Sequence, residues 1–493
     1  MEWNGKKLLD RFEIPTVHPL IQEIECAQTP EELAARLQTT GLVLLRTGSF
    51  DLPQARYSFL VSEPFLTFRS YGSRCELRAG EFGDMVQVQF GNPWRVLDSL
   101  MARYELLDEM DLPFPLGGCF GYWGYDLKNF VEPKLPRRAV DDLELPGCHV
   151  GFYDSVVVFD HILGKTFVVS TGLGMDGSRS ESRAGERLEV WRKRLARVVV
   201  TAGRVTGQRG RSIEPVSNFT KGEFVRCVEK AQRYIWAGDI YQVNLSQRFT
   251  ADCDATGWQF FERLAGVSPA PFSGFLDCGE FQVVSSSPEL FMRMSGSHAL
   301  TRPIKGTRPR GTDADRDAQL SYELQTSAKE MSELVMITDL LRNDLGRVCE
   351  YGSVRVPELA RLEKFAQVQH LVSTVEGNLK DEVTHFSAFA SCFPGGSITG
   401  APKIRAMEII DELEPVARGP YTGALGYLGF NRESQLSIAI RTAVCRDKRV
   451  HFHAGAGIVA DSQPEAEYEE TLAKAAGFFA ALHSLDSRRV VAG

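Results

Sequence analysis

No uninterrupted run of about 18 apolar residues occurs in the chain, so no membrane-spanning helix is expected. The opening Met1-Glu2-Trp3-Asn4-Gly5-Lys6-Lys7 leads into no apolar stretch of the secretory kind. Ten cysteines are present, yet no two stand as C-x-x-C, which argues against a zinc frame or a dithiol site. In a chain of 493 residues they read as buried thiols of a reducing compartment, the cytoplasm. Positive charge is in deficit, 56 Lys and Arg against 64 Asp and Glu, and a net charge of −8 disfavours nucleic acid or an anionic membrane as partner. A local basic pocket for a small anion stays open.

What is present is a strand-rich first part and a mixed second part. Residues 1–172 carry short β-branched and aromatic runs at 42–45, 57–61 and 155–159, with turn residues between them. Residues 173–217 change composition to a polar loop, a basic helix around 187–197 and a Gly/Arg-rich stretch, read as a linker. Residues 218–485 form the second domain. Thr220 with Glu223 fits a capping box opening a helix to about Ala237. A strand is expected at 240–249, a hairpin at 272–276 and 282–286, and one long helix at 315–345. Another helix starts near Pro402, strands follow at 423–430, 438–445 and 450–454, and Ser462 with Glu465 caps a last helix running to Leu482. The fold class is α+β.

Two carboxylate pairs carry the first chemical signal. Glu330 and Glu333 stand three apart on one expected helix, Glu467 and Glu470 three apart on the other, so each pair shares a face. Opposed, the four would repel one another unless a hard divalent cation such as Mg2+ sat among them. Taken singly, each pair is equally a solvated acidic face. Lys305, in Pro303-Ile304-Lys305-Gly306-Thr307-Arg308, is a second signal: desolvation or nearby cations, here Arg302 and Arg308, make a lysine nucleophilic.

Several look-alikes fail. Gly395-Gly396-Ser397-Ile398-Thr399-Gly400-Ala401-Pro402-Lys403 lacks the ending of a phosphate loop, although its amides could cradle a carboxylate. Gly455-Ala456-Gly457-Ile458-Val459-Ala460 matches a dinucleotide fingerprint, but only 33 residues follow, enough for one helix and no second strand. Gly118-Cys119-Phe120-Gly121 sits among aromatics unsuited to a nucleophile elbow, so Cys119 is structural. His451 and His453 alternate on a strand without the partners of a metal site.

Taken in order, these segments resemble the chorismate-utilising enzymes. The resemblance spans nearly the whole chain and is dense from Asn218 to Leu482. It rests on Ala237-Gly238-Asp239-Ile240-Tyr241-Gln242-Val243-Asn244, Ser285-Ser286-Ser287-Pro288-Glu289, the segment around Lys305, Asp339-Leu340-Leu341-Arg342-Asn343-Asp344-Leu345-Gly346, Val368-Gln369-His370-Leu371, and the two glycine-rich stretches. It implies two packed β-sheets flanked by helices, with a possible tryptophan pocket in the first domain. Gln242 replaces the lysine of isochorismate and salicylate synthases, and Lys305 replaces the alanine typical of anthranilate synthases. The branch this is similar to is aminodeoxychorismate synthase component I, serving p-aminobenzoate and folate synthesis. Leu44-Leu45-Arg46-Thr47 departs from the tryptophan-sensing Leu-Leu-Glu-Ser, and Leu334 stands where many relatives are polar.

By that resemblance Lys305 is the covalent catalyst, Glu289 the general acid and His370 a proton-handling or electrostatic group. Tyr421, Arg441, Lys474 and the amides of Gly455, Ala456 and Gly457 receive the enolpyruvyl carboxylate. Glu333 and Glu470 hold Mg2+ directly, with Glu330 and Glu467 through water. No glutaminase domain is evident, so ammonia is expected from a separate glutamine amidotransferase subunit. Anthranilate synthase component I, and a non-catalytic tryptophan-binding scaffold, are the competing readings.

Overall fold

A computed structural model describes residues 17–37, 39–47, 55–79, 85–107, 112–196, 213–364 and 368–487. Two 12-stranded sheets, antiparallel throughout their ladders, form its frame. Their inner faces carry the aromatic and β-branched residues that alternate along the strands. Phe59 of one sheet meets Tyr427 of the other edge-on at 5.0 Å, and Phe120 stacks on Tyr427 at 5.3 Å. Cys119 is fully buried in this core, in strand Gly118–Trp123, and burial pushes its thiol far up.

Each sheet joins a block of strands from 1–172 to a block from the later chain along one ladder. Val43–Arg46 pairs with Phe272–Asp277 in the first, and Gly118–Trp123 pairs with Ala424–Gly429 in the second. The two expected regions are therefore successive in the chain but share both sheets. The basic helix begins earlier than expected and spans Glu181–Ala196. It is anchored on the first sheet by buried Trp191, whose indole N–H donates to Ser155 Oγ at 3.0 Å. The Gly/Arg-rich stretch that follows, through residue 212, lies outside the described residues.

Most expected elements are found. Thr220 and Glu223 make the reciprocal capping box of helix Lys221–Trp236, and the hairpin is Phe272–Asp277 with Gln282–Ser287. Two expectations need correction. The helix at 315–345 is two helices, Ala314–Thr326 and Ala328–Val348, because Ser327 ends the first and caps the second by accepting from the Glu330 amide. The strand at 438–445 is the end of Glu433–Ile438 and the start of Thr442–Arg446, in different sheets, with residues 439–441 crossing between. The terminal helix Pro464–Ser487 lies on the outer face of the first sheet, Phe478 stacked on Phe452 at 4.3 Å. No described helix is long and apolar enough to cross a membrane.

Candidate active site

Two sheet-to-sheet crossings run side by side and set one wall of a cavity of about 540 Å3. In the first, Ser287 ends a strand of one sheet, Pro288 cannot continue its ladder, and Leu290 opens a strand of the other. In the second, Arg441 takes φ +49 just before Thr442. Backbone bonds lock them together: Ile438 N–H donates to the Glu289 carbonyl at 3.0 Å, and Ser286 N–H donates to the Arg441 carbonyl at 3.0 Å. Glu289 and Arg441 thereby face the same cavity.

The Glu289 side chain is 6% exposed. Burial pushes its carboxyl up to about 7, against a hydrogen bond from Ser397 and the charges of Lys305 and Lys474. It is thus part-protonated near neutrality, as a general acid requires. Burial also lowers the Arg441 pKa, and among the described residues no carboxylate lies within ion-pair distance of its guanidinium.

Lys305 stands in strand Ile304–Pro309, which carries a bulge. Gly306 is the extra residue, at φ +69, where a Cβ would meet Leu324 Cδ1 at 2.7 Å. The bulge leaves Lys305 facing the cavity, its Nζ 3.8 Å from Glu333 Oε2 and its side chain 16% exposed. Of the cations expected to crowd it, Arg302 is paired with Glu363 and Arg308 with Glu330. On the adjacent strand, His370 Nδ1 lies 2.9 Å from Thr307 Oγ1 and 3.3 Å from the Gly306 carbonyl. Burial pushes His370 down to about 4, so near neutrality the ring is an uncharged hydrogen-bonding group and not a cation.

All four glutamates line the cavity. Glu330 is 3.3 Å from Arg308, Glu470 is 2.7 Å from Lys474, and Ser462 Oγ–H donates to Glu467 Oε1 at 2.6 Å. The other Glu467 oxygen, Oε2, is buried with no hydrogen-bond partner. Burial raises the Glu333 and Glu467 carboxyls, and the neighbouring glutamates raise them further. With each carboxylate turned to a neighbour, no three His, Cys, Asp or Glu side chains converge on one point among the described residues. The donor chemistry nevertheless fits a hard divalent cation: four carboxylates, one with an orphaned oxygen, in a half-enclosed cavity.

The strand Arg449–Ile458 completes the floor. Gly455 and Gly457 face the cavity, and side chains there would fill it: a Cβ at Gly455 would lie 2.9 Å from the Tyr421 hydroxyl, one at Gly457 3.7 Å from Lys305 Nζ. Ala456 does not line it, because strand alternation turns its methyl into the apolar cluster of Val243, Leu245 and Ile458. Lys474 lines the cavity but is engaged by Glu470 and by the Gly455 carbonyl at 2.9 Å. Tyr421 stacks on His453 with centroids 4.9 Å apart. Leu334 is fully buried against Leu324 and Leu371 and takes no part in the cavity.

Residues not singled out as site groups also contribute. Asn244 lines the cavity with its Oδ1 buried and unpartnered, and Ser397 supports Glu289. Gln242, fully buried, has both amide atoms unpartnered, with Nε2 2.7 Å from where a Gly457 Cβ would stand. Period-2 alternation from Gln242 points to Asn244. The glycine-rich loop ending in Lys403 is structural at that lysine, which pairs with Asp344 at 2.6 Å.

The cavity brings together an amine, a buried carboxylic acid, a guanidinium without a carboxylate partner and a carboxylate cluster, groups able to bind a small anion and to move protons. Residues 53–480 match the family described as chorismate binding enzyme, and the chain belongs to that family. It is 38% identical to anthranilate synthase component 1 of Acetivibrio thermocellus, over 92% of this chain and 93% of that protein. It is 40% identical to aminodeoxychorismate synthase component 1 of Klebsiella aerogenes, over 90% and 94%. The crystal structure of anthranilate synthase component I from Streptococcus pneumoniae matches with a TM-score of 0.75 at 31% identity, covering 87% of this chain and 93% of that one. The protein is a chorismate-utilising enzyme with the two-sheet fold expected from its sequence.

Proposed function

We propose that this enzyme is an aminodeoxychorismate synthase component 1, converting chorismate and ammonia to 4-amino-4-deoxychorismate and water, on the way to p-aminobenzoate and folate. The observation that carries the reading is the Lys305 amine, enclosed in the cavity beside Glu333 and Gly457. In its neutral form the amine attacks ring carbon 2, both ring double bonds shift by one bond, and the bond from carbon 4 to its hydroxyl breaks. Glu289 gives that hydroxyl its proton, so water leaves. Ammonia then bonds to carbon 4, both double bonds shift back, and the bond from carbon 2 to Lys305 breaks. The surplus ammonia proton returns to Glu289, restoring the acid.

Arg441, with Tyr421 and the strand at Gly455–Gly457, receives the enolpyruvyl carboxylate, a role suited to an unpaired guanidinium. Glu330, Glu333, Glu467 and Glu470 would hold Mg2+, which when bound supplies positive charge for the ring carboxylate. His370 orders the bulge that carries Lys305. Ammonia would come from a separate glutamine amidotransferase subunit, in keeping with relatives named as component 1.

Anthranilate synthase is the second reading, favoured by the comparable identity to both kinds of relative. One incubation separates them. The chain, chorismate, Mg2+ and ammonium are combined with an aminodeoxychorismate lyase. p-Aminobenzoate is expected; anthranilate as the main product would overturn the assignment, and no consumption of chorismate would favour a binding scaffold.

A further inference from the structure

A second cavity of about 320 Å3 adjoins the first, and Tyr421 and His453 line both, so their stacked rings form a partition. The second cavity has a different charge. Asp126, Asp141, Asp142, Glu144 and Asp411 line it. Of the two arginines there, Arg418 is committed to Glu414 at 2.7 Å, and Arg137 lies over the Phe130 ring. Several of the carboxylates are only partly engaged: Asp126 accepts from the Gly419 amide and Asp411 from the Arg138 amide. Asp142 is paired with Arg248.

Two further polar atoms on this lining have no partner and are too buried to be satisfied by bulk water. They are Asn129 Oδ1, in a residue 8% exposed, and His453 Nδ1, in a residue 7% exposed. Burial holds His453 uncharged. The cavity therefore offers carboxylates, an amide oxygen and a neutral imidazole to a ligand that donates hydrogen bonds and is small. Ammonium has four N–H donors and no acceptor.

We propose that this second cavity is the port by which ammonia reaches the catalytic cavity, collecting ammonium at its carboxylates and passing the neutral molecule beside the Tyr421–His453 pair. The inference rests on the ammonia-using reading above. Its physical basis is a difference in charge. The catalytic cavity sets five cations, Lys305, Arg308, Lys329, Arg441 and Lys474, against five carboxylates, whereas the second cavity sets two arginines and no lysine against five carboxylates. The acidic cavity favours approach by a cation. At the partition neither ring carries charge, so crossing is easier for neutral ammonia than for ammonium, whose desolvation is far more costly. The proton is left on a carboxylate of the outer cavity and returns to water.

Two kinds of variant test this in the full-length chain with free ammonium at saturating chorismate. Ala139→Trp and Ala417→Trp place bulk in the second cavity at half-buried positions. Each is expected to lower kcat/KM for ammonium tenfold or more, with KM for chorismate within twofold of the unaltered chain. Asp141→Asn combined with Glu144→Gln changes two exposed residues and no packing. It is expected to raise KM for ammonium at least threefold, more at low salt than at high, with kcat unchanged. If the paired variant and a folded tryptophan variant both keep the original ammonium kinetics, ammonia enters elsewhere and the port is refuted. If the unaltered chain makes no aminated product from chorismate and ammonium, the functional reading fails first and takes the port with it.

Discussion

Replacing Lys305 by methionine keeps the length of the side chain and removes its charge and nucleophile. Two effects follow, and they run in opposite directions. Without the amine the covalent route is closed, and aminodeoxychorismate formation should fall by about 10^3-fold or more, equivalent to about 4 kcal/mol of barrier. Residual turnover should shift toward anthranilate. Meanwhile the carboxylate cluster loses the cation beside Glu333. At 3.8 Å between Lys305 Nζ and Glu333 Oε2, an effective dielectric constant of about 20 gives a gross attraction of about 4 kcal/mol. Desolvation and rearrangement leave a fraction of that, about 1–2 kcal/mol, as the amine's net competition with a divalent ion. Mg2+ should therefore bind the variant about tenfold more tightly. Product analysis with the coupled lyase reads the first effect, and calorimetric titration of Mg2+ without chorismate reads the second. Aminodeoxychorismate formation within threefold of the original enzyme would refute the lysine as covalent catalyst. Unchanged Mg2+ affinity would refute its place beside the metal ligands.

Other consequences are as direct. Because Glu289 is pushed up to about 7 and donates only when protonated, kcat/KM for chorismate at constant free ammonia should decline as pH rises through about 7. Glu289→Gln should lose about 10^2–10^4-fold in kcat and the descending limb with it, as a pH profile of both enzymes would reveal. Arg441→Gln should raise KM for chorismate about tenfold to a hundredfold, the range of one charged hydrogen-bonded contact, with melting temperature nearly unchanged. Gly306→Ala forces a Cβ at φ +69 to within 2.7 Å of Leu324 Cδ1. It should destabilise by about 1–2 kcal/mol in denaturant titration and lower kcat by displacing Lys305.

Much of this arrangement was legible in the sequence. The two i,i+3 glutamate pairs do share faces, as helical spacing required, because that spacing is local; that both pairs line one cavity is the work of packing. The glycine of Ile304-Lys305-Gly306-Thr307 is compatible with a turn or a bulge, and only pairing with Val368–Asn378 decides. The break at Ser327 carried a readable sign, Ser327 three residues before Glu330, which a single apolar periodicity across 315–345 concealed. Ala456 was named with Gly455 and Gly457 as one of three successive amides, whereas alternation along the strand brings only the two glycines to the cavity lining. The joining of an early and a late block of strands in each sheet left no local trace, since it is set by partners hundreds of residues apart.

The reason the site forms where it does lies in the crossings. A chain leaving one sheet for the other must give up ladder partners over two or three residues, and those backbone groups need other partners in the interior. Here the two crossings satisfy each other, through Ile438 N–H to the Glu289 carbonyl and Ser286 N–H to the Arg441 carbonyl. Ser287 adds its own bond, Oγ–H to the Ile438 carbonyl at 2.6 Å. Freed from strict alternation yet held on both sides, residues at such a crossing can point a charged group into a buried space without fraying a sheet edge. Glu289 and Arg441 are the groups so placed, one perturbed upward by burial and the other lacking an internal carboxylate. Neither would persist in a regular strand, where a charge on the inner face would meet the aromatic core. The opposing charges, Lys305 and the four glutamates, come instead from a bulge and from helices Ala328–Val348 and Pro464–Ser487. An acid and a cation are thus fixed by backbone at the crossings, while an amine and four carboxylates reach the same cavity from elements outside them.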